Sequence, residues 1–167
     1  MRLQNDKIAK MGMLLALGII FGYIEFCIPI SFGIPGIKLG LPNLLAVVLL
    51  YRFSIKEAAL YNMLRIILTG MMFGSLFSIF YSLAGAICSL LIMYLCKKFQ
   101  LFDMVGVSML GGIFHNLGQL AVAMVLISKF SFLYYLPFLL ISGLIAGFCM
   151  GQLSNIIYKR GILWLHI

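Results

Sequence analysis

Arg65 stands in the middle of an apolar run, and two other apolar runs carry Glu25 and the pentapeptide His115-Asn116-Leu117-Gly118-Gln119. An ionisable group at bilayer depth costs about 3 kcal/mol or more unless it is paired or faces a watery cavity, so such residues mark a polar site inside a membrane protein. A guanidinium suits a carboxylate or phosphate, a lone carboxylate suits an amine or that guanidinium, and amide and imidazole groups add directional hydrogen bonds. Asn62, Arg65 and Thr69 are three and four residues apart, and Ser108, Gly111, His115 and Gln119 repeat likewise, so each set occupies one helical face. Two such faces can meet across one pocket. At a rise of about 1.5 Å per residue, Arg65 lies about 13 Å beyond Lys56, His115 and Gln119 about 18 and 24 Å beyond Asp103, and Glu25 about 22 Å beyond Lys10. These depths predict a cavity that opens to the outside. Two plainer readings stay open. Glu25 and Arg65 can neutralise each other as a structural pair, and His115 can be a hydrogen-bonded core residue. Asn116 points elsewhere on its helix, where it can bond a neighbouring backbone.

The elements that hold these residues follow from composition. Of 167 residues, 64% are hydrophobic and 10% charged, against roughly one quarter charged in a soluble domain. A bilayer-spanning helix takes about 20 residues, so an all-α integral membrane protein with six transmembrane helices in one bundle, a single domain over residues 1–167, is expected. Charges and turn residues divide the chain into helices from about Ile8 to Ile28, Leu41 to Tyr51, Ser54 to Thr69, Ser75 to Cys96, Val105 to Ser128 and Leu133 to Tyr158. Ser54-Ile-Lys-Glu57 reads as a capping box that starts the third. The stretch with Pro29, Gly33, Pro35, Gly36 and Lys38 should overhang the pocket, its kinks limiting its conformations and Lys38 reaching down as a second cation.

Orientation comes from the basic residues, which accumulate on the cytoplasmic side. With the N-terminus inside, Arg2, Lys7, Lys10, Arg52, Lys56, Lys97, Lys98, Lys159 and Arg160 fall in the cytoplasm and only Lys38 and Lys129 outside. Both termini should therefore be cytoplasmic, in a cell membrane. The basic start before an apolar run resembles a secretory signal, but no small-x-small site follows, so an uncleaved first span is expected. Small residues recur at Ser75, Ser78, Ser82, Gly85 and Ser89, and at Gly143, Gly147 and Gly151, as helix-packing faces. Gly12 and Ala16, then Gly18 and Gly22, form a similar face on the first helix that could serve a partner.

Several chemistries are set aside. The net charge of +8 is punctuation between spans rather than a nucleic-acid surface. Prenyl transfer by the usual route needs clustered aspartates to hold magnesium against a diphosphate, and Asp6, Glu25, Glu57 and Asp103 are far apart. A Walker sequence is absent, so ATP coupling must come from a partner. His115 and His166 lack zinc-site spacing, and Cys27, Cys88, Cys96 and Cys149 read as packing residues. No catalytic residue, metal or cofactor is expected.

With these residues in hand, the chain resembles the small membrane family called heptaprenyl diphosphate synthase component I, or the Gx transporter family. The resemblance runs from about Lys7 to Tyr158 and is most specific at Lys38-Leu-Gly-Leu-Pro-Asn43, Ala58 to Arg65, Phe73-Gly-Ser75 and Gly111 to Gln119. That family is similar in turn to the substrate-binding S components of energy-coupling factor transporters, which implies six helices, both termini inside and a pocket opening outward. It also implies a small-xxx-small face on the first helix that docks on a membrane coupling subunit, with two ATPase subunits driving transport. Gly12 and Ala16 match that face in spacing and depart from the usual alanine pair. The expected function is capture of a small anionic or zwitterionic, vitamin-like ligand, with Arg65 and Lys38 on its anionic group and Glu25 on an amine. Asn43, Asn62, Ser75, Tyr81, His115, Asn116 and Gln119 would complete the site. The alternative is a non-catalytic accessory subunit that handles isoprenoid precursors for a separate prenyl synthase. A scaffold with a buried ion pair is the third reading.

Overall fold

Short polar side chains start three of the helices, one of them at the predicted capping box. In the computed structural model, which describes residues 2–27, 40–127 and 130–161, Ser54 Oγ accepts from the Lys56 N–H at 3.2 Å, and Glu57 accepts from the Ser54 N–H at 3.1 Å. This capping box opens α3, Ile55–Phe73. Ser75 and Ser78 cap α4, Leu76–Lys98, reciprocally: each side chain accepts from the other's backbone N–H, at 3.2 and 2.9 Å. Asp103 accepts from the Gly106 N–H at 2.8 Å at the start of α5, Met104–Ile127. The chain begins with α1, Arg2–Cys27, and α2, Leu41–Arg52, and ends with a 3-10 turn, Phe130–Tyr135, and α6, Leu136–Arg160. Lys38, Lys129 and His166 lie outside the described residues.

All described elements are helical, and four stretches are long and apolar enough to cross a membrane: Asn5–Cys27, Leu76–Lys98, Met104–Leu126 and Leu133–Arg160. Six spans were expected. The six α-helices form, but α2 has only 12 residues, about 18 Å against a hydrocarbon core of about 30 Å. The polar content of α3, with Lys56, Glu57 and Arg65, keeps it from qualifying. Instead, α2 is a central helix: every residue from Leu44 to Leu50 is buried, as a helix apolar on all sides requires. Near its start it is held by two side chains, the Tyr61 hydroxyl donating to the Pro42 carbonyl at 3.3 Å and the Ser154 hydroxyl to that of Leu44 at 3.1 Å.

Glycines bring α4, α5 and α6 together. A Cβ on Gly143 would lie 2.6 Å from the Gly112 carbonyl oxygen, and one on Gly147 would lie 2.6 Å from that of Ser108. Backbone cannot yield there, so α5 and α6 meet surface to surface, as the small-residue run predicted. The first helix is looser: 11% of its span is buried, against 28% for α4 and α5. Its small residues divide into two faces. Gly18 and Gly22 pack against Tyr61 and Thr69 of α3, whereas Gly12 and Ala16 are exposed, with open space around Gly12. Cys96 is buried as expected, but Cys27 and Cys149 are exposed rather than packed.

One end of the bundle gathers the basic residues. Lys7 pairs with Glu57 at 2.5 Å, and Arg52 stacks its guanidinium 4.9 Å over the Tyr158 ring. Lys97 donates to the Leu50 carbonyl at 2.6 Å and lies 5.0 Å over the Tyr51 ring. Lys97 thereby satisfies a carbonyl in the last turn of α2, where helix ends leave acceptors unmade and favour cations.

Candidate functional site

The half-length of α2 creates the site. Its first turn begins inside the bundle at Gly40, whose φ of 75° is the left-handed conformation that glycine adopts without strain. No side chain caps this N-terminus. The Gly40 N–H instead donates to the Glu25 carboxylate at 2.5 Å, tying the end of α1 to the start of α2. The first turn, through Gly40, Pro42 and Asn43, faces a cavity of about 70 Å³ between the helices. Half-helix N-termini at membrane depth carry a partial positive charge and are aimed at anionic groups in membrane transporters.

Arg65 of α3 lies on the same cavity with 8% of its surface exposed. Its Nη2 donates to the Asn62 Oδ1 at a long 3.5 Å, and its Nε finds no partner. Gln119 of α5, 2% exposed, lines the cavity with its amide nitrogen also without a partner. An unmade buried donor costs about 1–3 kcal/mol, and more when charged. The α5 face predicted from spacing is intact: Ser108, Gly111, His115 and Gln119 all line the cavity, opposite Ser82 and Ser89 of α4. From Ser108 to Gln119 the wall extends about 16 Å along the helix. Gly85 lets α4 close on this face, because a Cβ there would lie 2.8 Å from the Gln119 Cγ and 3.0 Å from the His115 Cε1.

Six expected site residues, Glu25, Asn43, Arg65, His115, Asn116 and Gln119, are brought together. Asn116 has a second task, donating to the Leu139 carbonyl at 2.7 Å and to the Ser142 hydroxyl at 3.2 Å across the α5–α6 seam. Three others stand off the wall. Asn62 is buried behind Arg65 as its hydrogen-bond acceptor. Ser75 is exposed because its side chain is spent capping α4, and Tyr81 stacks on Phe77, with ring centroids 5.9 Å apart. Thr69 shares the Arg65 face by spacing, but its hydroxyl bonds back to the Arg65 carbonyl at 2.8 Å. Lys38 falls outside the described residues. Among the described residues, the ion pair joins Lys7 to Glu57 rather than Glu25 to Arg65. Sequence spacing missed the α2 N-terminus, whereas Gly85 packs on α5 as its small-residue face predicted. The available signal was the shortness of the apolar run between Gly40 and Arg52.

Residues 14–157 match the model of one protein family, described as heptaprenyl diphosphate synthase component I. The chain belongs to this family. No curated protein and no solved structure matches it. The heptaprenyl diphosphate synthase component I match begins within α1 and ends within α6, so it contains every residue named on the cavity wall. Ala16 lies inside that range and Gly12 outside it.

Proposed function

We propose that this protein is a non-catalytic binding subunit of the cell membrane, with its basic end in the cytoplasm, that takes the anionic group of a small molecule into its central cavity. The observation that carries this reading is Arg65: a guanidinium 8% exposed, with Nε unpartnered, on a cavity that the N-terminus of α2 also faces. A buried guanidinium with an unmade donor favours an anion, because hydrocarbon does not solvate it and the Glu25 carboxylate is already engaged by the Gly40 N–H. The non-catalytic part rests on the carboxylates. Glu57 is engaged by Lys7 and Ser54, Asp103 caps α5 and Glu25 holds the Gly40 N–H. Asp6 belongs to the first turns of α1, so the four acids are dispersed over separate elements instead of forming a magnesium cradle.

Two partners fit such a subunit. The family's description favours a prenyl synthase catalytic subunit, for which this chain would handle isoprenoid precursors at the membrane. The exposed Gly12–Ala16 face on a loosely held α1 favours a membrane coupling subunit with two ATPase subunits, in an uptake transporter of the energy-coupling factor type with six membrane-embedded helices. Gentle purification from native membranes, followed by mass spectrometry of retained proteins and small molecules, tests both. A co-purifying prenyl synthase supports the first and coupling and ATPase subunits the second. Retention of neither proteins nor an anionic small molecule would defeat the binding-subunit reading.

A further inference from the structure

We infer that the ligand is an amphipathic anion, with an anionic head held by Arg65 and Gln119 and a short aliphatic tail that runs along the cavity toward Val47, Met93 and Met150. This rests on the binding-subunit reading and narrows its substrate class.

Unmade hydrogen bonds place the head. Arg65 Nε and Gln119 Nε2 are N–H donors on two different helices, in residues more than nine-tenths buried, and neither has an acceptor. Both residues line the same cavity. An anionic oxygen group offers several acceptor positions and compensates a guanidinium that hydrocarbon does not solvate.

The change of polarity along the cavity places the tail. Arg65 and Glu25 lie beside the first turn of α2, where Glu25 accepts from the Gly40 N–H and Tyr61, one turn before Arg65, donates to the Pro42 carbonyl. The helices α2 and α4 run in the same direction, because Lys97 near the end of α4 meets Leu50 near the end of α2. Along α2, Val47 stands five residues beyond Pro42, about 8 Å deeper. Along α4, Gly85 faces His115 and Gln119, and Met93 stands eight residues further, about 12 Å deeper. There a Cβ on Gly111 of α5 would lie 2.6 Å from the Met93 Sδ.

Val47, Met93 and Met150 line this deeper end and also belong to the buried apolar core. Ser89 and Ser108 add two hydroxyls, and among the described lining residues no charged group accompanies them. A ligand charged along its whole length would be desolvated against valine and methionine, which is costly. An aliphatic tail is stabilised there by burial. The flexible thioether side chains of Met93 and Met150 can close around such a tail.

The test uses the full chain in nanodiscs, with propionate, butyrate, pentanoate and hexanoate in calorimetric titrations corrected for empty nanodiscs. Affinity should rise about fourfold for each added methylene, as apolar burial requires. Arg65→Gln should weaken every member by about tenfold or more. Hexanoate carrying a terminal hydroxyl should bind at least about tenfold more weakly than hexanoate, because that hydroxyl would enter the apolar end. Met150→Phe narrows that end and should reduce the preference for hexanoate over propionate, whereas Met93→Ala widens it and should shift the best fit toward longer chains. Far-ultraviolet circular dichroism identifies a variant that fails to fold, and the chain-length series needs no variant. Flat affinity across the series, with loss in Arg65→Gln, overturns the tail and leaves the anion-receptor reading standing. Equal binding of hexanoate and its hydroxylated form, or a chain-length preference unmoved in both folded methionine variants, overturns the tail as well. If no probe binds, or binding is indifferent to Arg65, the tail and the receptor reading both fall.

Discussion

Arg65 is where the structural and functional readings part most sharply. As an anion anchor it makes a charge-assisted hydrogen bond of about 1.5–3 kcal/mol in a dry pocket. Arg65→Gln should then fold and lose more than about tenfold in affinity for a small carboxylate such as propionate. As a mere counter-ion to Glu25 it would leave a stranded carboxylate when removed, and the protein would be destabilised until Glu25→Gln was added. A double-mutant cycle following thermal stability and propionate binding together separates the two. The expected result is that the double variant does not recover affinity. Full rescue of stability with undiminished affinity would make Arg65 structural. The long bond to Asn62 favours the anchor, because that amide does not satisfy the guanidinium fully and Nε has no acceptor.

At the scale of elements, glycines of similar appearance have opposite consequences. Gly147→Leu forces a side chain into the Ser108 backbone, 2.6 Å from where a Cβ would stand, and overpacking of that kind costs about 1–3 kcal/mol or more. Its thermal midpoint in detergent should fall clearly. Gly12→Leu enters open space, so the midpoint and propionate affinity should hold, while retention of a partner that docks on that face should weaken. A changed midpoint in Gly12→Leu would show that α1 packs otherwise than described. The tie between α1 and α3 is electrostatic as well. Lys7, followed by Ser54, holds the Glu57 carboxyl down to about 2 from an ordinary 4.5. A depressed folded value means the contribution to stability is present above pH 4.5 and is lost as pH falls through about 2. Between those values the stability of the parent protein should decline more steeply with acid than that of Glu57→Gln. Parallel curves would refute the pairing.

For the whole molecule, the contacts Lys7–Glu57, Arg52–Tyr158 and Lys97–Leu50 collect the basic residues at one end, and basic ends face the cytoplasm. A single cysteine at position 98, in a background without the four native cysteines, should therefore resist impermeant thiol reagents in intact cells and react in inside-out vesicles. Labelling from outside would reverse the orientation and the direction in which the cavity loads. The exterior agrees with a lipid environment: Ile87, Leu91, Ile141 and Ile145 are each more than half exposed, and Tyr134, 83% exposed, suits an interfacial ring.

Much of this arrangement was legible in the chain itself. Composition set the helical membrane class, Ser54 and Glu57 marked the start of α3, and three-and-four spacing put Ser108, Gly111, His115 and Gln119 on one wall, because helical periodicity is a local property that each segment carries alone. The role of Ser75 was not legible, since a serine can cap a helix or line a pocket and only its neighbours decide. The same holds for the division of α1 into a face packed on Tyr61 and Thr69 and a face left open. The half-length of α2 could be counted in the sequence, but its meaning could not. Only the packing of the other helices around Leu44–Leu50 shows that its N-terminus ends inside the bundle beside Arg65. Which polar groups converge depends on contacts between segments distant in sequence, and spacing along one helix holds no information about the face presented by another.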